Sequence, residues 1–360
     1  MKVFFCQHSY LRDRQIDTIR RWPAHEVINP EVVQNRHGAQ VSAFYAKSPK
    51  IKASWKQKLP LLNIKLRPNA AHQDAVVYVW GGIIATGKFI VDLDNPWSLV
   101  GYNLHAMPIY RFLIKHILLS KRCLEIRCMS EACRQSLKSL FGTEVYEKAK
   151  VHYPSIPQAV KEIDSVLSNS CRFLFVGTQF EIKGGVALLK AFRRVYDQAR
   201  NARLDIITHL PSEFADLAAG CPGIYVHEAS FLRDEIHNQF MRQADVLLLP
   251  TYVESFGMVA LEGLAHGLAL IATDVYALRE MVEDGRNGRL LEPPISIWDG
   301  ITPSRYYYEL ENIKDYVRKT DTTEFENCLY EAMLGFANNP QWRNKARHES
   351  VRLMSERFAC

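Results

Sequence analysis

The chain has no run of about 18 apolar residues, so no stretch is long enough to cross a bilayer as a helix. Its opening, MKVFFCQHSYLRDRQ, has too short an apolar run for a signal peptide and meets charge at once. It reads as a first β-strand. None of the eight cysteines forms a CxxC pair. Cys123, Cys128 and Cys133 recur every five residues, which is not a zinc-ligand spacing. Buried thiols in a reducing compartment are expected, and the cytoplasm is the default location. The histidines form no close-spaced ligand pattern, so no metal is expected. There is no internal repeat and no low-complexity tract. With 360 residues, 48% hydrophobic and 23% charged, the chain is of globular composition and long enough for two domains.

Charge is unevenly spread. Residues 1–160 hold 23 Lys and Arg against 11 Asp and Glu, whereas residues 161–360 hold 22 against 28. A basic first half points to an anionic partner: nucleic acid, lipid headgroups or a phosphate-bearing substrate. No nucleic-acid-binding motif accompanies the charge, which disfavours the first. Two basic stretches are interleaved with apolar residues. IKASWKQKLPLLNIKLRP (51–68) carries Lys52, Lys56, Lys58, Lys65 and Arg67 beside Trp55. PIYRFLIKHILLSKR (108–122) carries Arg111, Lys115, Lys121 and Arg122 beside Tyr110 and Phe112. The second reads either as a helix packed on a sheet or as a surface contact with anionic lipid.

In the second half, short apolar runs alternate with helical patterns. RFLFVG (172–177), RLDIIT (203–208), GIYVHE (223–228), DVLLLP (245–250) and ALIAT (269–273) read as strands. Segments 184–200, 232–244, one starting near Phe256, and 278–285 read as helices. This is a run of βαβ units and predicts a Rossmann-like parallel sheet. The first half shows a less regular version, with strands near 1–7, 75–80, 88–94 and 124–130 and a helix capped by Ser130 and Gly142. The expected division is a first domain over 1–155, a second over 156–339, and a terminal charged helix over 340–360. The stretch 297–325 breaks the pattern and reads as an excursion.

DVLLLPTYVESFGMVALEGLAHGLALIATD (245–274) carries the chemistry. A buried strand ends at Pro250, a loop presents Glu254, and a helix starting at about Phe256–Gly257 presents Glu262. Unsatisfied amides at a helix start attract anions, and Gly257 lets a phosphate approach the backbone. Eight residues of helix span roughly 12 Å at about 1.5 Å each. That separation suits two ends of one extended ligand, and exceeds the roughly 5–5.5 Å of a retaining glycosidase pair.

The run Glu254-x7-Glu262 within ESFGMVALE resembles the donor-site signature of glycosyltransferase family 4, of the GT-B fold. ADVLLLP (244–250) and HGLALIATDVYALREMVEDGRNGRLLEP (266–293) resemble the same family, and the likeness covers about residues 172–293. It implies two Rossmann-like domains facing each other across a cleft, with the terminal helix crossing back to the first. It implies transfer of a hexosyl group from a nucleotide diphosphate sugar to a hydroxyl acceptor, a glycan or lipid-linked saccharide, with retention. By the resemblance, Glu254 holds the donor sugar and Glu262 the ribose. The backbone of Ser255, Phe256, Gly257, Met258 and Val259 faces the diphosphate. FVGTQFEIKGG (175–185) resembles the family's phosphate loop: Lys183 matches the lysine that neutralises the leaving diphosphate, with Gly184 beside it. Where the family usually has an arginine, this chain has Thr178. Where many members have a sugar-facing histidine, KFIVDLDNPW (88–97) offers Asp92, Asp94 and Asn95, and Asp94 is the candidate. The likeness implies no cofactor beyond the sugar nucleotide and no metal. It permits a peripheral place on the inner face of a membrane. Thr178 and the missing histidine leave open a non-catalytic partner of an active transferase. An epimerase or a sugar phosphorylase on the same fold is a further alternative.

Overall fold

Parallel strands that are covered on both faces need near-continuous apolar sequence, and the central strands of this chain have it. In the computed structural model, VLLL (Val246–Leu249) and ALIAT (Ala269–Thr273) are buried along their whole length. The structure describes residues 1–6, 11–34, 59–67, 74–164, 167–295, 297–304 and 310–358. Of the basic stretch 51–68, only residues 59–67 are therefore described; Lys52, Trp55, Lys56 and Lys58 lie outside.

The described residues form two units, and the chain passes from one to the other between Ser155 and Ile156. Residues 299–304 cluster with the first unit, a return that the expected division at 155/156 did not contain. The Ser136 hydroxyl donates to the Ile301 carbonyl at 2.8 Å and ties this segment down. The terminal helix clusters with the second unit.

The first unit is a five-stranded parallel sheet in the order β1 (Val3–Phe5), β2 (Val76–Trp80), β3 (Phe89–Leu93), β4 (Cys123–Cys128), β5 (Ala149–Val151). Its helices are α1 (Asp13–Arg21), α2 (Ala106–Leu119), α3 (Glu131–Phe141) and α4 (Thr143–Lys148). Ser130 caps α3, accepting from the Cys133 amide at 3.0 Å, and Gly142 ends it at φ +88°. An aromatic group of Phe5, Trp22, Tyr78 and Trp80 fills one face, with ring centroids 5.0 to 5.8 Å apart.

The second unit has six parallel strands: β6 (Cys171–Val176), β7 (Ala202–Thr208), β8 (Ile224–Glu228), β9 (Val246–Leu249), β10 (Ala269–Thr273) and β11 (Gly288–Leu291). They lie in the order β8-β7-β6-β9-β10-β11. This doubly wound order reverses between β6 and β9, and ligands of such sheets sit outside the strand ends at that switch point. The helices are α5 (Gly185–Gln198), α6 (Ala215–Ala219), α7 (Arg233–Ile236), α8 (Met258–Ala265), α9 (Leu310–Lys319), α10 (Thr323–Asn338) and α11 (Pro340–Leu353). Arg347 on α11 donates to the Gly267 carbonyl at 3.0 Å and pairs with Asp245 at 3.1 Å, so the terminal helix is anchored beside β9 and β10.

Two expected helices differ. Segment 232–244 is one α-turn, α7, continued by a wider π-type turn over His237–Met241. Segment 278–285 is a 3₁₀ turn over Tyr276–Glu280. The Asn287 side chain accepts from the Glu283 amide at 2.7 Å and donates to the Met281 carbonyl at 3.0 Å, taking groups that a longer helix would use. The sequence predicted buried thiols; six described cysteines are free and buried, and Cys328 is free and exposed.

Candidate functional site

Two loops meet at the switch point of the second sheet. The first, residues 177–184, leaves β6; the second, residues 250–257, leaves β9. The Tyr252 amide donates to the Ile182 carbonyl at 3.0 Å. The Lys183 ammonium donates to the Val253 carbonyl at 3.0 Å and to Glu254 Oε2 at 2.8 Å. Gly184, at φ +75°, lies so close to the second loop that a Cβ there would stand 1.9 Å from the Pro250 carbonyl oxygen. Only glycine fits this approach.

Glu254 is therefore a held carboxylate. Burial alone would raise its pKa. The charge and hydrogen bond of Lys183 and the amides of Ser255 and Phe256 outweigh that, and keep the carboxyl below its ordinary 4.5. The Ser255 amide donates to Oε1 at 3.1 Å. The Trp298 indole donates to the Glu254 carbonyl at 3.1 Å, and Trp298 stacks on Tyr276 with centroids 3.9 Å apart. Tyr276 has φ +48°, a backbone region that a tyrosine rarely enters.

Helix α8 begins at Met258, with Gly257 as its N-cap at φ +90°. The start lies one to two residues beyond the expected Phe256–Gly257. The first helix bonds are donated by Ala260 and Leu261 to the Gly257 carbonyl, so the Met258 and Val259 amides precede any intrahelical acceptor. The Phe256 amide, expected to face a ligand phosphate, is turned onto Glu254.

Glu262 lies about one turn along α8 and is buried at 9% exposure. Gly263 beside it packs so tightly on the sheet that a Cβ would meet Leu247 at 2.6 Å. Glu262 Oε1 is 2.7 Å from Arg233 Nε, and Oε2 is 3.7 Å from His237 Nε2. His237 meets His266 edge-on at 4.7 Å, and His266 Nδ1 lies 2.8 Å from the Glu262 carbonyl oxygen. Burial, then the charge of His237, hold His266 below its ordinary 6.5. Sequence reasoning missed Arg233 and His237. Their only trace was a basic pair four residues apart on one helix face.

Thr178 is exposed in the β6 loop and brings no cation there. The structure thus gathers Lys183, Gly184, Glu254, Ser255, Phe256, Gly257 and the start of α8 beyond the carboxyl ends of the central strands β6 and β9, with Glu262 on the same helix. Asp94 belongs to the first unit and is described there. It directly follows β3, accepting from the Tyr102 hydroxyl at 3.0 Å and the Asn95 amide at 2.8 Å. Burial raises its pKa above the ordinary 3.8, against the amide, Arg14 and Tyr102. Tyr102 is also at positive φ, +63°. Asp92 is engaged inside its unit by Arg14 at 3.1 Å and the Tyr78 hydroxyl at 2.7 Å. Asn95 caps the short turn Pro96–Val100. Among the described residues, no group of three or more His, Cys, Asp and Glu could hold a metal ion.

Residues 170–301 match the family model described as Glycosyl transferases group 1. Among curated relatives, a D-inositol 3-phosphate glycosyltransferase of Paenarthrobacter aurescens (strain TC1) is 30% identical over 179 residues, 47% of this chain and 41% of that protein. A phosphatidyl-myo-inositol mannosyltransferase of Mycobacterium tuberculosis (strain H37Rv) is 34% identical over 125 residues, 34% of this chain and 33% of that protein. The chain thus spans well under two thirds of the length of these curated relatives. Among solved structures, WaaG, a glycosyltransferase involved in lipopolysaccharide biosynthesis, superposes with a TM-score of 0.54 at 16% identity, covering 99% of this chain and 95% of that one. Anabaena HepE in complex with UDP gives 0.54 at 14% identity, covering 98% and 100%.

Proposed function

We propose that this chain, which has the GT-B fold, is a glycosyltransferase of the family 4 type and transfers a hexosyl group from a nucleotide diphosphate sugar to a hydroxyl acceptor with retention. The observation that carries the reading is the meeting of the two loops at the switch point. It sets one lysine, one held carboxylate and a helix start side by side.

In this reading the donor diphosphate lies against the Met258 and Val259 amides and Lys183. Glu254 holds the sugar, and Glu262 accepts from the ribose hydroxyls. The bond from the anomeric carbon to the diphosphate oxygen breaks. The acceptor oxygen bonds to the same face of that carbon, and its proton passes to the leaving phosphate. Charge grows on the diphosphate as the bond breaks, and a fixed cation there lowers the barrier. Asp94 is the acceptor-side candidate. No metal or further cofactor is assigned. The relatives named for inositol phosphate acceptors, and the positive balance of residues 1–160, support an acceptor that carries phosphate or is lipid-linked. They also support work at the surface of an anionic membrane, on its cytoplasmic side. Among the described residues, no helix is long and apolar enough to cross it.

A second reading, a non-catalytic partner of an active transferase, draws on Thr178, which leaves the phosphate loop one cation short. A thermal-shift panel of nucleoside diphosphates and their sugars, on wild type and Glu262→Ala, tests both. Ligand binding raises the melting temperature by linkage. A shift with one nucleotide that Glu262→Ala abolishes, together with donor turnover, supports the transferase. No shift with any nucleotide favours the partner.

A further inference from the structure

The loop that carries Lys183 holds a second charged side chain, and this one is buried. Glu181 lies two residues before the lysine and is 4% exposed. A carboxylate taken out of water costs free energy unless a cation and hydrogen bonds replace the water. Here Arg318 replaces it. Its Nη2 donates to Glu181 Oε1 at 3.0 Å, and its Nε donates to Oε2. That two-pronged contact suits a planar guanidinium and not an ammonium. Nη2 also donates to Glu213 Oε1 at 2.6 Å. Phe180 and Phe214, the chain neighbours of these two acids, meet with ring centroids 5.6 Å apart. One arginine thus clips the loop to the turn Ser212–Phe214.

Helix α9 supplies this arginine. Ile313 and Val317 lie four residues apart on one face, and both are buried. They seat the helix, while Arg318 next to them stays half exposed. Arg318 lies beyond residues 170–301, the part that matches the family model. The loop has Thr178 where the resemblance implies an arginine. The guanidinium that does reach the loop comes from 137 residues further along the chain.

The loop itself is a compact turn. The Lys183 amide donates to the Gln179 carbonyl at 2.9 Å, and the Gly184 amide to the Glu181 carbonyl at 3.0 Å. Glu181 therefore shares its turn with the lysine, and a shift of one backbone carries the other. Without Arg318 the loop would hold a buried, uncompensated charge. Relief requires Glu181 to swing out toward water, which moves Lys183 from Glu254 and the Val253 carbonyl.

We propose that Arg318 is a positioning residue of the donor site: by pairing with Glu181 it fixes the loop that aims Lys183. The proposal rests on the assignment of Lys183 to the leaving group, and adds the residue that holds that lysine in place.

The test compares wild type, Arg318→Met, Glu181→Gln and the Arg318→Met/Glu181→Gln double variant. Release of nucleoside diphosphate from UDP-glucose, UDP-N-acetylglucosamine and GDP-mannose is followed well below the melting temperature. Arg318→Met should lower kcat by about ten- to a hundredfold, with donor KM little changed, since the aim of Lys183 matters most as the bond breaks. The double variant should recover most of the loss, because a neutral amide at 181 needs no cation. A wild-type kcat in Arg318→Met would overturn the proposal. So would a double variant as slow as Arg318→Met, which would mean that Arg318 does not act through Glu181. If wild type releases nucleoside diphosphate from none of the three, the functional reading fails, and stability alone decides on Arg318. The coupling between Lys183 and Glu254, from a double-mutant cycle of urea midpoints, should then shrink in the Arg318→Met background and return when Glu181→Gln is added. A coupling that Arg318→Met leaves unchanged would show that the arginine does not position the lysine.

Discussion

Replacing Lys183 with methionine keeps the length of the side chain and removes its charge. In the folded protein this strips Glu254 of the cation that stands 2.8 Å from it. The two side chains are 26% and 22% exposed, between the surface and fully buried cases. Exposed pairs contribute up to about 1 kcal/mol and breaking a buried one costs about 3–5, so a loss of about 2 kcal/mol is expected. For a unit of this size that is a fall of about 4–8 °C in melting temperature. The pH dependence identifies the cause. Glu254 is held below 4.5 in the folded state. Its contribution is therefore present above pH 4.5 and lost as pH falls through the lower folded value. Melts at about pH 7 should separate wild type from Lys183→Met, and melts well below pH 4.5 should bring them together. Glu254→Gln completes a double-mutant cycle, in which the two changes together cost less than their sum. On the proposed reading, kcat at saturating donor also falls, by about 10²–10³. A stability gap that is the same at both pH values would refute the electrostatic account. An unchanged kcat would refute the assignment of Lys183 to the leaving group.

His266, held below 6.5, favours the neutral imidazole in the folded state. Its contribution is present above pH 6.5 and lost as pH falls through the folded value. His266→Asn should flatten the decline in melting temperature from about pH 7 to about 5.5, and an unaltered slope would assign the decline elsewhere. Gly184→Ala sets a Cβ against the Pro250 carbonyl at φ +75° and must part the two loops. Urea unfolding should show a loss of about 3 kcal/mol or more. A midpoint equal to wild type would mean that the loops are not held together there.

Much of the second unit was readable because its signals are local. The strands announce themselves as apolar runs, and ALIAT begins and ends where expected. The Glu254-x7-Glu262 run was visible as a resemblance within one short segment. The strand order, with β6 beside β9, was not readable from either strand alone, because pairing is decided by contacts seventy residues apart. Arg233 was missed for the same reason: it faces Glu262 only once α7 and α8 are placed on the sheet. The positive φ of Tyr102 and Tyr276 left no trace, since neither is a residue type that signals a left-handed turn. Each nevertheless supports a candidate acid, Tyr102 through its hydroxyl on Asp94 and Tyr276 through Trp298 on Glu254. Strain kept beside two candidate acids is of the kind that a binding site retains.

The cations of the second unit pose one more physical question. Lys183 is engaged by Glu254, and Arg233 by Glu262. Thr178 adds no charge. On the proposed reading, these two cations are therefore already paired with the two acids that the donor would use. A ligand whose ribose takes over Glu262 releases Arg233, and one whose sugar takes over Glu254 loosens Lys183. Binding then exchanges partners and does not simply add a phosphate to a positive pocket. A free diphosphate without ribose and sugar would displace neither acid, and would meet only the dipole of α8. On the proposed reading, this pairing would favour recognition of the whole sugar nucleotide over its charged part alone. On the proposed reading, the same exchange would place the freed Lys183 charge beside the diphosphate only after the sugar has engaged Glu254, when the leaving group needs it.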